Sequence, residues 1–301
     1  MMLQAHEAGQ AAAQETVNIG EMVLHHTADA YSFGLEGLFH DKFVLHWQKW
    51  PDVHVGPLTL NFTPTKHVIF MIIAAVLVFL TMAVAARRLK AERASGKAPK
   101  GFANAIEGLV LFIRDDIAIA NIGHDGAKFA PFIATLFFFI LYMNLLGLLP
   151  WGASATGNLA VTGGLAILSF LVVEVSGMMK LGFKGYMKTI FMEVPGVGGA
   201  AGVAMSIGLA PIELIGKLVK PFALAVRLFG NMTAGHFVVL SLFGIIFLFG
   251  SLQTWNYAIG FTTAALVPGI MMLELFVAAL QAYVFALLTA IFIGMMQEEH
   301  H

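Results

Sequence analysis

Long apolar runs separated by short charged segments dominate this chain, and the lengths of the runs predict its elements. Val68 to Ala86 is nineteen apolar or small residues without a charge, enough for one membrane-spanning helix. Phe129 to Leu149, closed by Pro150-Trp151, predicts a second span, and Leu159 to Met179 a third, joined by an uncharged connection over Gly152 to Asn158. Ala201 to Gly250 is too long for one upright span, since as a continuous helix it would measure roughly 75 Å against a hydrocarbon core of about 30 Å. That stretch either folds into two spans or lies steeply tilted, and its pattern does not choose. After a polar break at Ser251 to Tyr257, Phe261 to Met296 is again overlong, with Glu274 as its single charge and Gln281 as its one amide. Gly101 to Ile119 differs, because Glu107, Arg114, Asp115 and Asp116 interrupt apolar residues at helical spacing; it predicts an amphipathic helix at the inner interface. Leu58 to Phe62 alternates like a short strand.

Composition makes the class firm. A chain of 301 residues that is 58% hydrophobic, 12% charged and has a mean hydropathy of +0.82 is a polytopic membrane protein. The absence of cysteine excludes disulfides, thiolate metal sites and cysteine nucleophiles. The first thirty residues hold no charged stretch followed by an apolar core, so no cleavable signal peptide is expected. Residues 1–63 are mixed and read as a water-exposed segment preceding a membrane domain over residues 64–301. Six of the eleven histidines lie in that segment (His6, His25, His26, His40, His46 and His54), with no i,i+4 pair, so they read as solvated or interfacial rather than as metal ligands. Trp47 and Trp50 fit an aromatic belt.

Charge asymmetry sets the expected orientation. Arg87, Arg88, Lys90, Arg93, Lys97 and Lys100 stand against Glu92 alone, which marks that loop as cytoplasmic and places the N-terminal segment outside. Lys180, Lys184 and Lys188 return the third span to the same inner side.

The candidate chemistry lies between Pro211 and His236, where Glu213, Lys217, Lys220, Arg227 and His236 interrupt an apolar run. A charge at the centre of a bilayer helix costs roughly 2.5–3.5 kcal/mol on insertion scales, which makes such residues functional candidates. Arg227 is the extreme case, since guanidinium does not shed its proton. On a helix Glu213, Lys220 and Arg227 share one stripe to within about 40°, Asn231 follows one turn on, and His236 falls on the opposite face about 13 Å along the axis. Glu274 and Gln281 share a face of the last helix, and Asn144 and Glu174 are polar exceptions in the second and third spans. Histidine and a buried carboxylate can exchange protons near neutral pH, whereas Arg227 would act as a fixed cation, a barrier and a catch for a mobile carboxylate. Blander readings stand beside these: His236 as a hydrogen-bonded core residue, Asn231 as a helix tether, Glu174 as a carboxylate near the inner headgroups, and Lys217 and Lys220 as markers of the inner membrane boundary.

The run Lys220-Pro-Phe-Ala-Leu-Ala-Val-Arg227-Leu-Phe-Gly-Asn231-Met-Thr-Ala-Gly-His236 resembles the signature of subunit a of the rotary F-type ATP synthase. The resemblance extends to Ser206-Ile-Gly-Leu-Ala-Pro-Ile-Glu213, Leu280-Gln281-Ala-Tyr-Val-Phe, Met143-Asn144-Leu-Leu-Gly-Leu-Leu-Pro150 and Ser95-Gly-Lys-Ala-Pro-Lys-Gly-Phe. It implies an all-α polytopic fold with five transmembrane helices, the last two long and strongly tilted, plus the amphipathic interfacial helix. It also implies an extracytoplasmic N-terminus, a cytoplasmic C-terminus and a bacterial plasma (inner) membrane location. The implied partners are the c-ring, the b-subunit of the peripheral stalk, the remainder of the complex and the lipid bilayer. No cofactor, metal, nucleic acid or nucleotide is expected on this chain, which lacks a G-x-x-x-x-G-K-[ST] pattern.

By the same resemblance Arg227 is the essential arginine facing the ring carboxylate. Asn231, His236, Glu274 and Gln281 match an outer aqueous half-channel, and Glu213 matches a carboxylate of the inner route, the side on which Glu174 is also placed. Many bacterial members carry Glu where His236 stands and His where Glu274 stands, so the acid and the imidazole are exchanged here. A carboxylate often found three residues after the Asn144 position is Gly147, which leaves Asn144 or Asn158 and water for that part of the route. The rival readings are a secondary transporter whose Arg227 binds an anion, and a structural anchor in which Arg227 and Glu274 form a static pair.

Overall fold

The structure is a computed structural model that describes residues 30–33, 45–46, 48–55, 58–61, 63–96, 100–149, 152–191, 199–249 and 255–297. His6, His25, His26, His40, Trp47, Phe62 and the 298–301 end lie outside the described residues. Two small antiparallel ladders precede the helices: β1 (Ser32–Phe33) with β2 (Leu45–His46), and β3 (Val53–Val55) with β4 (Leu58–Leu60). The strand expected from Leu58 is thus present as one side of a hairpin.

Helix α1 spans Lys66–Ala94 and so continues past Ala86, where the uncharged run ends. The Arg, Lys, Glu and Ala residues of the charged segment are good helix formers, and an Arg93–Glu107 ion pair fastens the last turn to α2 (Gly101–Phe112). Beyond Phe112 the backbone widens into a π turn over Ile113–Ile119 before one closing turn, Ala120–Ile122. Ile113, Ile117 and Ala118 are buried there while Arg114, Asp115 and Asp116 are exposed. The wider register frees carbonyls, and Asn121 Nδ2 donates to Ile117 O at 2.8 Å.

The core forms around α3 (Gly126–Gly147), whose Ile133, Leu136, Phe138, Ile140 and Met143 are each at most 3% exposed. Facing it, α6 (Trp255–Gln297) buries Ala278, Ala282, Ala286 and Ala290 at four-residue spacing, a small-residue stripe that lets the two backbones approach. Ala74 and Val78 of α1 close the other side, where Thr81 Oγ1 and Tyr142 OH share a hydrogen bond of 2.7 Å.

Helix α4 spans Leu159–Ile190 and runs beyond the expected end at Met179. It turns sharply at Gly182, whose φ of 68° and ψ of 171° glycine adopts without a side-chain clash. Helix α5, Gly199–Phe249, is one continuous helix of 51 residues, which decides between the two alternatives left open by the pattern. Of the polar break, Trp255 to Tyr257 belong to α6 and residues 251–254 lie outside the described residues. Among the described residues five helices are long and apolar enough to cross a membrane: α1, α3, α4, α5 and α6. The apolar part of α5 covers 39 residues, about 58 Å of helix, so it fits a hydrocarbon core only obliquely.

Candidate functional site

Arg227 lies on α5 just before Leu228, which is fully buried against the core, so the guanidinium is carried on the outward side of the helix. It is exposed, and among the described residues it makes no hydrogen bond or ion pair. The exposed surface of the two last helices is largely apolar, with Phe222 and Val226 of α5 and Leu273, Phe276 and Leu280 of α6 all exposed.

One turn further, Asn231 Nδ2 donates to Gln281 Oε1 at 2.9 Å and ties α5 to α6. The pair lines a cavity shared with Asn144, Gly235 and Glu274 that has room for about one water molecule. Glu274 reaches α5 because position 235 has no side chain; a Cβ there would lie 2.5 Å from Glu274 Oε1. That oxygen is buried and accepts no hydrogen bond from the protein. Asn144 is 1% exposed and held from both ends, Nδ2 donating to Ala278 O at 3.2 Å and Oδ1 accepting from Thr156 Oγ1 at 2.7 Å. Ser154 Oγ and Thr156 Oγ1 are 2.8 Å apart.

His236 points away from this cavity. It lines a second one, again with room for about one water, together with Thr233, Ser154, Gly157 and His67 of α1. The connection Gly152 to Thr156 is buried between the helices, folded inward instead of lying open as a surface loop. Gly147 is pressed against it: a Cβ there would lie 2.5 Å from Ser154 Cβ and closer still to Met232 Cε, so no carboxylate side chain fits. Asn158 caps α4, its Oδ1 accepting from Ala160 N at 2.8 Å, and lines neither cavity.

On the other side of Arg227 along α5 a third cavity opens between α4, α5 and α6, lined by Glu174, Ser169, Lys217, Lys220 and Thr289. Lys217 is only 5% exposed. Its Nζ donates to Thr189 Oγ1 at 3.0 Å, lies 4.6 Å from the centre of the Tyr186 ring and 3.7 Å from Glu174 Oε2. Tyr186 OH donates to the same carboxylate oxygen. The boundary reading of Lys217 is therefore corrected: a lysine that marks a headgroup region reaches water, and this one is spent inside the protein on α4. Lys220 lies over the Phe292 ring at 5.3 Å. Glu213 is half-buried, lines none of these cavities and makes no hydrogen bond or ion pair among the described residues.

The structure thus brings Asn231, Gln281, Glu274 and Asn144 together, sets His236 in the adjoining cavity, places Glu174 on the opposite side and leaves Glu213 and Asn158 apart. Sequence reasoning missed Ser154, Thr156 and His67. Their signals were faint: two hydroxyls two residues apart in an uncharged connection, and one histidine at the start of an apolar run.

Five membrane-length helices, with amides and hydroxyls such as Asn144, Gln281 and Thr156 buried among them, define a multi-pass helical membrane protein with polar groups in its interior. The family model described as ATP synthase A chain matches residues 68–294, and the chain belongs to that family. It is 42% identical to ATP synthase subunit a of Chloroherpeton thalassium over 92% of this chain and 77% of that one. It is 41% identical to ATP synthase subunit a 2 of Chlorobaculum tepidum, over 96% and 76%. With ATP synthase subunit a of Myxococcus xanthus the identity is 44% over 83% and 77%.

Proposed function

We propose that this chain is the proton-translocating stator subunit of an F-type ATP synthase in a bacterial inner membrane. It serves ATP synthesis and hydrogen ion transport without catalysing a reaction alone. Residues 1–63 lie outside, the C-terminus lies in the cytoplasm, and α2 with its π turn lies along the inner interface. The exposed, unpaired Arg227 on the apolar face of α5 and α6 is the single observation that carries this reading. A ring of c-subunits presenting a carboxylate is the partner that suits that face, and the b-subunit stalk holds the chain against rotation.

In this mechanism a proton from outside reaches the cavities of His236, Glu274, Asn231 and Gln281 and neutralises a ring carboxylate. The neutral group then moves into lipid, which an ionised one avoids because of its insertion cost of roughly 2.5–3.5 kcal/mol. After nearly a full turn it releases the proton to an inner route by Glu174 and Glu213 and meets Arg227, attracted by about 4 kcal/mol at 4 Å with an effective dielectric near 20. A static Arg227–Glu274 pair, the anchor alternative, has no support, since no such ion pair forms and Glu274 lies against Gly235.

The test is ATP-driven proton pumping by the whole complex in vesicles, followed with a pH-sensitive dye. Arg227→Ala abolishes pumping with assembly intact. Arg227→Lys also fails, because a buried lysine can lose its proton where arginine does not. Pumping retained in both variants refutes the barrier.

A further inference from the structure

The mechanism above leaves one feature of the outer side unused. His67 is the second residue of what is otherwise an apolar helix, yet its side chain is buried, 4% exposed, in the cavity that also holds His236. Two imidazoles from distant parts of the chain therefore share one small polar space with two hydroxyls. Thr233 Oγ1 is buried there and has no hydrogen-bond partner in the protein, an unfavourable state unless a donor or acceptor passes through the space.

The hydroxyls give the space a direction. Thr156 donates its only proton to Asn144 Oδ1, so Ser154 must be the donor in the Ser154–Thr156 bond. Ser154 Oγ then has lone pairs left to accept from the cavity of the histidines. Asn144, at the far end of the same chain, lines the cavity of Glu274. Ser154, Thr156 and Asn144 are thus a wall with one side on each cavity. Gly147 shuts the alternative approach, because its neighbours Ser154 and Met232 occupy the place of any side chain.

We infer that His67 is a further ion-path residue, the imidazole through which protons pass from the outer side to His236 before they reach Glu274. This rests on the stator reading above. One ring nitrogen of His67 takes a proton while the other releases one toward His236, directly or through the water space by Ser154. A ring flip or the reverse tautomer exchange restores the starting state, so no net proton or electron is gained. Imidazole suits the task because its ordinary pKa, about 6.5, lies near working pH. Helix α1, read from the sequence only as a membrane span, becomes one wall of the outer half-channel.

The chain has no cysteine, so single cysteines can be placed and labelled without background from it. In the complete complex in vesicles, His67→Cys and Thr233→Cys are exposed to a membrane-impermeant thiol reagent from each face in turn, and ATP-driven pumping is followed. Reaction from the outer face only, with loss of pumping on reaction, is expected. His67→Ala is expected to lose most of its pumping and to recover part of it when free imidazole is added, a rescue that a purely packing role would not give. Pumping at the wild-type rate in His67→Ala overturns the inference, as does reaction of both cysteines without loss of pumping. If His67→Ala does not assemble, Thr233→Cys decides alone, and no reaction from the outer face overturns it. Arg227→Ala separates the two levels: if it too pumps normally, the stator reading fails, whereas a dead Arg227→Ala beside a fully active His67→Ala removes only the role of His67.

Discussion

Replacing Lys217 by methionine keeps most of the side-chain volume and length while removing its charge. The loss can be worked from the three partners. A charge-assisted hydrogen bond such as that to Thr189 contributes about 1.5–3 kcal/mol, and a desolvated cation–π contact such as that with Tyr186 up to about 2 kcal/mol. The attraction to Glu174 is offset by the desolvation that a buried ammonium no longer suffers once it is removed. The net expectation for Lys217→Met is a loss of about 3 kcal/mol, of which a large part is the carboxylate left behind with Tyr186 as its remaining partner. Glu174→Gln removes that charge and still accepts from Tyr186. Lys217→Met/Glu174→Gln should therefore be more stable than Lys217→Met alone, with a coupling of about 1–3 kcal/mol, as expected for residues in contact. The assay is thermal unfolding of the purified complex in detergent, following release of this subunit on native gels. Additive losses, or a cost below about 1 kcal/mol for Lys217→Met, would refute the idea that the pair is coupled and buried.

Gly235→Ala places a methyl group against the Glu274 carboxylate, so pumping should fall while assembly stays normal; Ala at 235 with wild-type flux would mean that Glu274 does not need its place beside α5. Gly182→Ala forces an alanine into a left-handed φ and should cost about 1–2 kcal/mol, read as a lower unfolding temperature of the complex. Asp125, clasped by Lys128 and Lys180, has its carboxyl pulled down from 3.8 to about 2 by those hydrogen bonds and charges. A lowered folded-state value stabilises above the unfolded pKa and is lost as pH falls through about 2, so the difference in unfolding temperature between the wild type and Asp125→Asn should be full at neutral pH and shrink between about pH 4 and pH 2.

The helices were legible because apolar length is a direct consequence of bilayer thickness, and Arg227, Asn231 and Gln281 stood out as candidates because polar groups are rare in such runs. What escaped depended on long-range packing. Lys217 reads as a boundary residue until α4 bends at Gly182 and brings Tyr186 and Thr189 over it. Ser154 and Thr156 sit in what reads as an outer loop, and only its inward fold turns two ordinary hydroxyls into supports for Asn144. The helix ends failed for a local reason: charged residues of high helix propensity carried α1 to Ala94, where the loss of apolar character suggested a stop.

The outward Arg227 also bears on how the cell counts its subunits. If Arg227 meets a ring carboxylate, as proposed above, a copy without that partner holds a guanidinium against lipid tails or shifts α5 to bring it to water. On the proposed reading, its half-life in cells that lack the ring should be shorter than that of an Arg227→Leu copy, which would make this charge a mark of incomplete assembly.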